Sequence, residues 1–462
     1  MLKTIKQTQR ALQTNQVSSL ELVEQCLDAI EAATGQGASV FTKVHKERAI
    51  TQSKAIDYAR AQGVGLAPFA GVPITVKDLF DVAGDVTTGG SKVLAGAKPA
   101  ERDAVVVDRL KQAGFVIMGR TNMTEFAYSG LGMNPHYGTP LNPYDRENGR
   151  IPGGSSSGAA IALTDGMALG SIGTDTGGSC RIPAALCGIV GFKSTARRID
   201  QTGTLPLSFS LDSIGPLAKS VDCCTVLDAV LANIPQEDTN PLPLNRLRLA
   251  IPQSIVLDDM DNHVARTFEK TVRKLADQGA IIIDEPLTQL LELPQINSKG
   301  GFAAAEAYTW HHKLMEEKGD EYDPRVIIRM MKGQSQTAVD YIELLQARQR
   351  VITSVAATTA QYDALIYPTV PKIAPLLSQL DEDEEEYGSN NLLMLRNPSV
   401  VNFLDRCAIS IPCHDAGSAP VGLSLVGEHR RDRDLLSLAL SVENIVSPRG
   451  KQASDSALTS KN

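Results

Sequence analysis

Apolar positions along the chain follow two rhythms. The first has the 3.6-residue period of a helix: Leu20, Val23, Leu27 and Ile30 form one stripe behind Ser18-Ser19-Leu20-Glu21, a capping-box start, and predict a helix over 19–32. Further helical patterns lie near 103–112, 156–169, 263–278, 336–357 and 432–444. The second rhythm is the short continuous apolar run. Residues 72–76, 115–118, 281–283, 364–367, 409–411 and 421–426 read as buried strands. Strands interleaved with helices over this length predict an α/β fold, with helices on both faces of the sheet.

The chain has 462 residues, 42% of them hydrophobic, and allows one large domain or two or three of the usual ~150 residues. No repeat and no Pro/Gly/Ser linker divides it, so a single body over 1–446 is expected, followed by a polar, disordered tail over 447–462. The six acids Asp381–Glu386 read as a solvated loop. A formal charge of −8 disfavours nucleic acid as a direct partner. No apolar stretch approaches the ~18 residues of a membrane span, and the start lacks the apolar core of a signal peptide. The seven cysteines (Cys26, Cys180, Cys187, Cys223, Cys224, Cys407, Cys413) are odd in number and lack C-x-x-C spacing. They read as reduced core thiols of a cytoplasmic protein.

Two glycine–serine segments are candidates for chemistry. Ile151-Pro152-Gly153-Gly154-Ser155-Ser156-Ser157-Gly158 precedes an apolar helix, and Ser179 follows Ser155 by 24 positions inside Gly173-Thr174-Asp175-Thr176-Gly177-Gly178-Ser179-Cys180-Arg181. Each alone is as readily a plain turn. Together they suggest a nest of backbone N–H groups, which stabilises a developing oxyanion. Gly154–Gly158 fits G-x-S-x-G formally, but that elbow needs a strand directly before it, and residues 148–153 are not one. None of the seven histidines (45, 136, 263, 311, 312, 414, 429) stands in a catalytic setting. Gly191-Phe192-Lys193-Ser194 lacks the ending of a phosphate loop, and no metal-ligand spacing occurs, so neither metal nor cofactor is expected. A serine nucleophile without histidine can use a neutral lysine. Lys77 ends the run Val72–Val76, yet spacing alone reads it as readily as a snorkelling surface residue, and Asp78, Asp175 and Arg181 as structural ion-pair residues.

Val76-Lys77-Asp78, Gly153-Gly154-Ser155-Ser156 and Asp175–Arg181, continued by Pro183-Ala184-Ala185, Cys187–Lys193, Asp212–Pro216, Tyr367–Pro371, Ile409–Pro412 and Pro420–Leu423, together resemble the amidase signature family over about residues 18–445. The resemblance implies one α/β domain on a large mixed sheet covered by helices. It implies Ser179 as the acyl-accepting nucleophile, Ser155 as the serine that follows a cis peptide and bridges nucleophile to base, and Lys77 as the base. The backbone N–H groups of Thr176, Gly177, Gly178 and Ser179 match its oxyanion hole, and Tyr128 and Ser129 its substrate contacts. The implied reaction is hydrolysis of a small-molecule carboxamide to carboxylate and ammonia or amine. The expected partner is that amide, with a homodimer as an option.

Departures from the family pattern are Ser157 for a glycine, Cys180 after the nucleophile, and Asp405-Arg406-Cys407-Ala408 before the Ile-Ser-x-Pro strand, which could reshape the acyl pocket. The runner-up is the glutamine-hydrolysing component of a tRNA-dependent amidotransferase. Those components hold the glutamine amino group with an acid that an ungapped count places at Leu395, beside Arg396, where no acid stands. A non-catalytic scaffold is a third reading, opposed by the intact Lys77, Ser155 and Ser179. Residues 300–345, with Trp310, His311, His312, Arg325 and Met330-Met331, carry no family motif and are a candidate lining for the acyl pocket, Trp310 being as readily core.

Overall fold

In the computed structural model, which describes residues 4–236 and 239–447, the short apolar runs pair into one mixed sheet of eleven strands. They are β1 (Phe41–Val44), β2 (Pro73–Lys77), β3 (Val116–Thr121), β4 (Gly170–Thr174), β5 (Val190–Lys193), β6 (Ile214–Ala218), β7 (Arg248–Pro252), β8 (Ile281–Glu285), β9 (Ala364–Pro368), β10 (Ala408–Pro412) and β11 (Gly422–Val426). Their order across the sheet is β1-β3-β2-β4-β6-β5-β10-β11-β9-β7-β8. The β2/β3, β2/β4, β7/β8 and β7/β9 pairs are parallel and the other six antiparallel.

Alternation along the pleat supplies two apolar faces, and helices cover both. In β3, Val116 and Met118 join a cluster with helices 19–31 and 157–164, whereas Ile117 joins the cluster containing Val107 and Leu110 of helix 105–112 and Leu227 of helix 221–232. On the other half, Leu365 and Tyr367 of β9 pack with Val351 and Val355 of helix 338–359 and Val400 and Phe403 of helix 384–403.

The predicted helix at 19–32 forms over Ser19–Glu31 with the Ser18/Glu21 capping box intact. Its buried face differs slightly: Leu22 and Cys26 join Val23, Leu27 and Ile30, and Leu20 is only half-buried. The 156–169 pattern stops at Thr164, so that the chain can turn into β4. Strand β8 lies at the sheet edge, and Ile281 is 46% exposed rather than buried. The acidic run is not a loop. Leu377–Glu382 forms one helix, and Asp383 caps the next by accepting the amides of Glu385 and Glu386. Acids in a first turn complement the positive end of the helix dipole, so a run of like charge is stable there. The proposed tail lies outside the described residues except for Ser447. All seven cysteines are buried and none is in a disulfide. Among the described residues no helix is long and apolar enough to cross a membrane.

For the site, the β2/β4 pair decides the geometry. The strands run parallel with Ile74 beside Gly170 and Val76 beside Ile172, so their C-terminal residues Lys77 and Thr174 finish side by side at the end of two interior strands. Ligands of open α/β sheets bind at the carboxyl ends of strands.

Candidate active site

Lys77, the last residue of β2, is fully buried. Its Nζ donates to Ser155 Oγ at 2.7 Å and to Thr174 Oγ1 at 3.2 Å, and no carboxylate contacts it among the described residues. Burial lowers its pKa to about 8, against the opposing fields of Cys180, Asp175 and Asp212. The neighbouring Asp78 faces elsewhere: it accepts from Arg120 Nε and from the Thr88 hydroxyl.

Ser155 lies in the turn that enters helix 157–164, after a cis Gly154–Ser155 peptide bond. The Gly154 amide donates to the Gly130 carbonyl at 2.8 Å and the Ser155 carbonyl accepts from the Thr124 amide at 3.1 Å. The following amide, of Ser156, donates to the Ser179 carbonyl at 3.3 Å and ties the two serine segments together. No strand directly precedes Ser155, as the sequence implies.

Residues 175–181 turn from β4 into helix 181–187 around one buried ion pair. Arg181 donates to Asp175 through Nε (3.0 Å) and through an Nη (2.8 Å), and that same Nη reaches Asn402 Oδ1 at 2.7 Å. Asp175 also accepts the amides of Gly178 (2.9 Å) and Cys180 (3.1 Å). Burial alone would raise this carboxyl, but Arg181 outweighs it and holds the pKa at about 2. Gly178 sits at φ +126°, with Pro398 against the position of a Cβ, so only glycine fits the turn. The expected oxyanion donors therefore need one correction. The Gly178 amide is bound to Asp175, and the amides of Thr176, Gly177 and Ser179 are the ones left without a partner among the described residues.

Thr176, Gly177 and Ser179 line a cavity of about 360 Å³, and Tyr128 and Ser129 also line it. The Ser179 hydroxyl makes no side-chain hydrogen bond among the described residues, so the expected link to Ser155 is not formed here. The Ser129 hydroxyl donates to Asn391 Oδ1 at 3.0 Å. Apolar walls come from Leu207, Leu211, Ile255, Phe302, Leu395 and Phe403. Among the described residues, the charged side chains in the lining are Arg329 and Arg396 alone. Arg396 is paired with Asp259 at 3.0 Å. Arg329 has no carboxylate partner among the described residues; it donates to the Tyr128 carbonyl and lies over the Tyr128 ring, 4.4 Å from its centroid.

Of residues 300–345, Gly300–Ala303 and Arg329 reach the cavity, whereas Trp310, His311, His312, Arg325 and Met330-Met331 do not. Trp310 stacks edge-on against His311, Arg325 pairs with Glu384, and Met330 is core. No histidine among the described residues lines the cavity. Arg406 turns away as well, to Glu428 and Thr359. Cys180 is buried behind the turn, and burial pushes its thiol pKa up, away from nucleophilic character. Sequence reasoning passes over Arg329; its only signal is a second cation in the otherwise apolar helix Pro324–Met331.

Comparison with known proteins agrees with this architecture. The family model "Amidase" matches residues 21–436. The chain is 36% identical to the 2-amino-5-chloromuconic acid deaminase of Comamonas testosteroni, over 86% of this chain and 87% of that one. It is 31% identical to one component of the glutamyl-tRNA(Gln) amidotransferase of Moorella thermoacetica, over 94% of each. A crystal structure of an amidase superposes with a TM-score of 0.86 at 29% identity, covering 96% of this chain and 100% of that one. The chain is an amidohydrolase belonging to the amidase signature family.

Proposed function

We propose that the protein hydrolyses the C–N bond of a small carboxamide through an acyl-enzyme on Ser179, with Ser155 and Lys77 as the proton relay. The observation that carries this is the fully buried Lys77, bound to two hydroxyls and to no carboxylate among the described residues. Such a lysine loses its proton within reach of neutral pH and serves as a base. As the Ser179 hydroxyl turns onto Ser155 and its Oγ bonds to the carbonyl carbon, its proton passes to Ser155 and the Ser155 proton to Lys77. The oxyanion is met by the free amides of Thr176, Gly177 and Ser179. Lys77 then returns the proton through Ser155 to the leaving nitrogen, the C–N bond breaks, and ammonia or amine departs. Water attacks the ester along the same path, releasing the carboxylate and restoring Ser179.

The acyl group that suits the cavity has an apolar body and a negative charge that meets Arg329 beside Tyr128. Arg396 is already paired with Asp259, so Arg329 is the cation that remains, and with no acid in the described lining it favours an amide that carries a second acidic group. The relative whose name specifies an aminated muconic acid is consistent with an acid-bearing substrate. Leu395 in the wall, where a glutamine-hydrolysing amidotransferase component would need an acid, favours a free-standing hydrolase that needs no tRNA, ATP or metal. The test is ammonia release by the isolated chain across aliphatic, aryl, ureido and half-amide dicarboxylate substrates and glutamine. Half-amides of dicarboxylic acids are expected to lead, and Ser179→Ala to abolish turnover and fluorophosphonate labelling in a folded protein. Turnover of glutamine alone, and only with added partner proteins, would move the assignment to the tRNA-dependent amidotransferase.

A further inference from the structure

We propose that Asp212 is a positioning residue of this site: through Thr176 it fixes the amide-bearing turn and couples it to the loop that forms one wall of the acyl cavity. The inference rests on the reading of Ser179 and its neighbouring amides given above. Asp212 is buried, and its two oxygens divide the work. Oδ1 accepts from the Thr176 hydroxyl at 2.5 Å, while Oδ2 accepts the amides of Leu207 (3.0 Å) and Ser208 (3.1 Å). The Asp212 amide returns to the Ser208 carbonyl at 2.9 Å, which closes residues 207–212 into a compact loop. Leu207 and Leu211 of that loop and Thr176 itself all line the cavity.

The far side of the loop is equally fixed. Glu306 accepts from both Ser208 and Ser210, and from the Tyr341 hydroxyl at 2.6 Å. A continuous chain of hydrogen bonds thus runs from helix 338–359, through Glu306 of helix 301–318, through the loop and Asp212, to Thr176. An amide donor aimed at an oxyanion depends on such support, because misplacement by about an ångström costs on the order of 100-fold in rate. The charged groups that act on Asp212 and its surroundings are Glu306, through the loop, and Lys77, whose pKa the Asp212 charge raises; Asp175 beside them is neutralised by Arg181. Burial raises the Asp212 carboxyl to about 6, so that it is ionised at neutral pH.

The experiment compares Asp212→Asn, Thr176→Val and the double variant with wild type, by kcat and KM on the best amide and by the pH dependence of fluorophosphonate labelling, with Ser179→Ala as the control on the underlying reading. Each single variant is expected to lower kcat by roughly 10- to 100-fold with little change in KM, and the double variant to be no worse than the poorer single one. Asp212→Asn alone should also move the midpoint of the labelling profile to lower pH, because Lys77 loses a negative neighbour. If Asp212→Asn folds and retains wild-type kcat and midpoint while Ser179→Ala is inert, the proposal is wrong and the reading stands. Should Asp212→Asn not fold, Thr176→Val cuts the same hydrogen bond from the other side, and its retention of full kcat overturns the proposal. Labelling that survives in Ser179→Ala overturns the underlying reading instead.

Discussion

Lys77 Nζ stands 2.7 Å from Ser155 Oγ, and a second hydroxyl, that of Thr174, is 3.2 Å away on the neighbouring strand. A buried ammonium in this setting lacks the countercharge that would keep it protonated, and its pKa is lowered to about 8 from an ordinary value near 10.5. Activity should therefore rise through pH ~8 and flatten above it. Lys77→Ala should remove that limb and depress amide turnover more than turnover of the matched ester, since amine departure needs the returned proton. A pH–rate profile unchanged in Lys77→Ala would make the lysine structural.

Stability should move in the opposite direction. All seven cysteines are buried and their thiol pKa values are raised, Cys26 and Cys413 to about 12 and Cys223 to about 11. Unfolded thiols ionise near pH ~8.5 while the folded ones stay protonated, so folding binds protons and stability falls as pH rises. Lys77 and Lys193, each lowered to about 8, act against this between pH 8 and 10.5, because there the unfolded chain holds the extra proton. Between about pH 9 and 10.5 the seven thiols outnumber the two lysines, so the net effect is a fall in stability as pH rises. Denaturant melts at pH 8 and pH 10 will check this; equal midpoints would contradict it.

The Asp175–Arg181 pair is wholly buried, and removing one partner strands the other charge. Arg181→Met should cost about 3–5 kcal/mol at pH 7. The deficit should shrink on acidification, because an unpaired Asp175 carboxyl takes up a proton well above its present value of about 2. A constant deficit from pH 7 to pH 4 would show that packing, not charge, is lost.

For the substrate, Arg329→Gln should raise KM for half-amides of dicarboxylic acids by roughly 10- to 100-fold and leave uncharged amides nearly untouched, because loss of one charge-assisted contact is worth about 1.5–3 kcal/mol. Equal effects on charged and uncharged amides would deny Arg329 a role in recognition.

Much of this architecture is legible in the residues. The apolar runs in β2, β3, β9, β10 and β11 announce themselves because interior strands of a covered sheet are apolar on both faces. Strand β4, Gly-Ser-Ile-Gly-Thr, does not, having one large apolar residue. The β5/β6 pair hides for a related reason: a Cβ on Gly215 would lie 1.9 Å from the Phe192 carbonyl oxygen, so the close approach of these strands requires a residue with no side chain to read. The candidate catalytic segments are visible through glycine and serine density. The cavity walls are not, since they come from loop 207–211, residues 300–303, Arg329 and helix 384–403, which share no local pattern. That helix escapes a periodicity reading because its buried face is rich in asparagine. Asn391 holds Ser129 and Gly130, Asn397 holds the Val256 and Pro368 carbonyls, and Asn402 holds Asp175.

Helix 384–403 has two duties at once. Its Leu395, Ser399, Val400 and Phe403 form cavity wall, while its Asn402 side chain and Pro398 carbonyl grip Arg181, which in turn secures the turn carrying Ser179. An acyl group too wide for the cavity can be admitted only by moving this helix, and moving it loosens the grip on Ser179, the proposed nucleophile. Poor substrates should then still bind but seldom react, so that selectivity is expressed in turnover number rather than in occupancy.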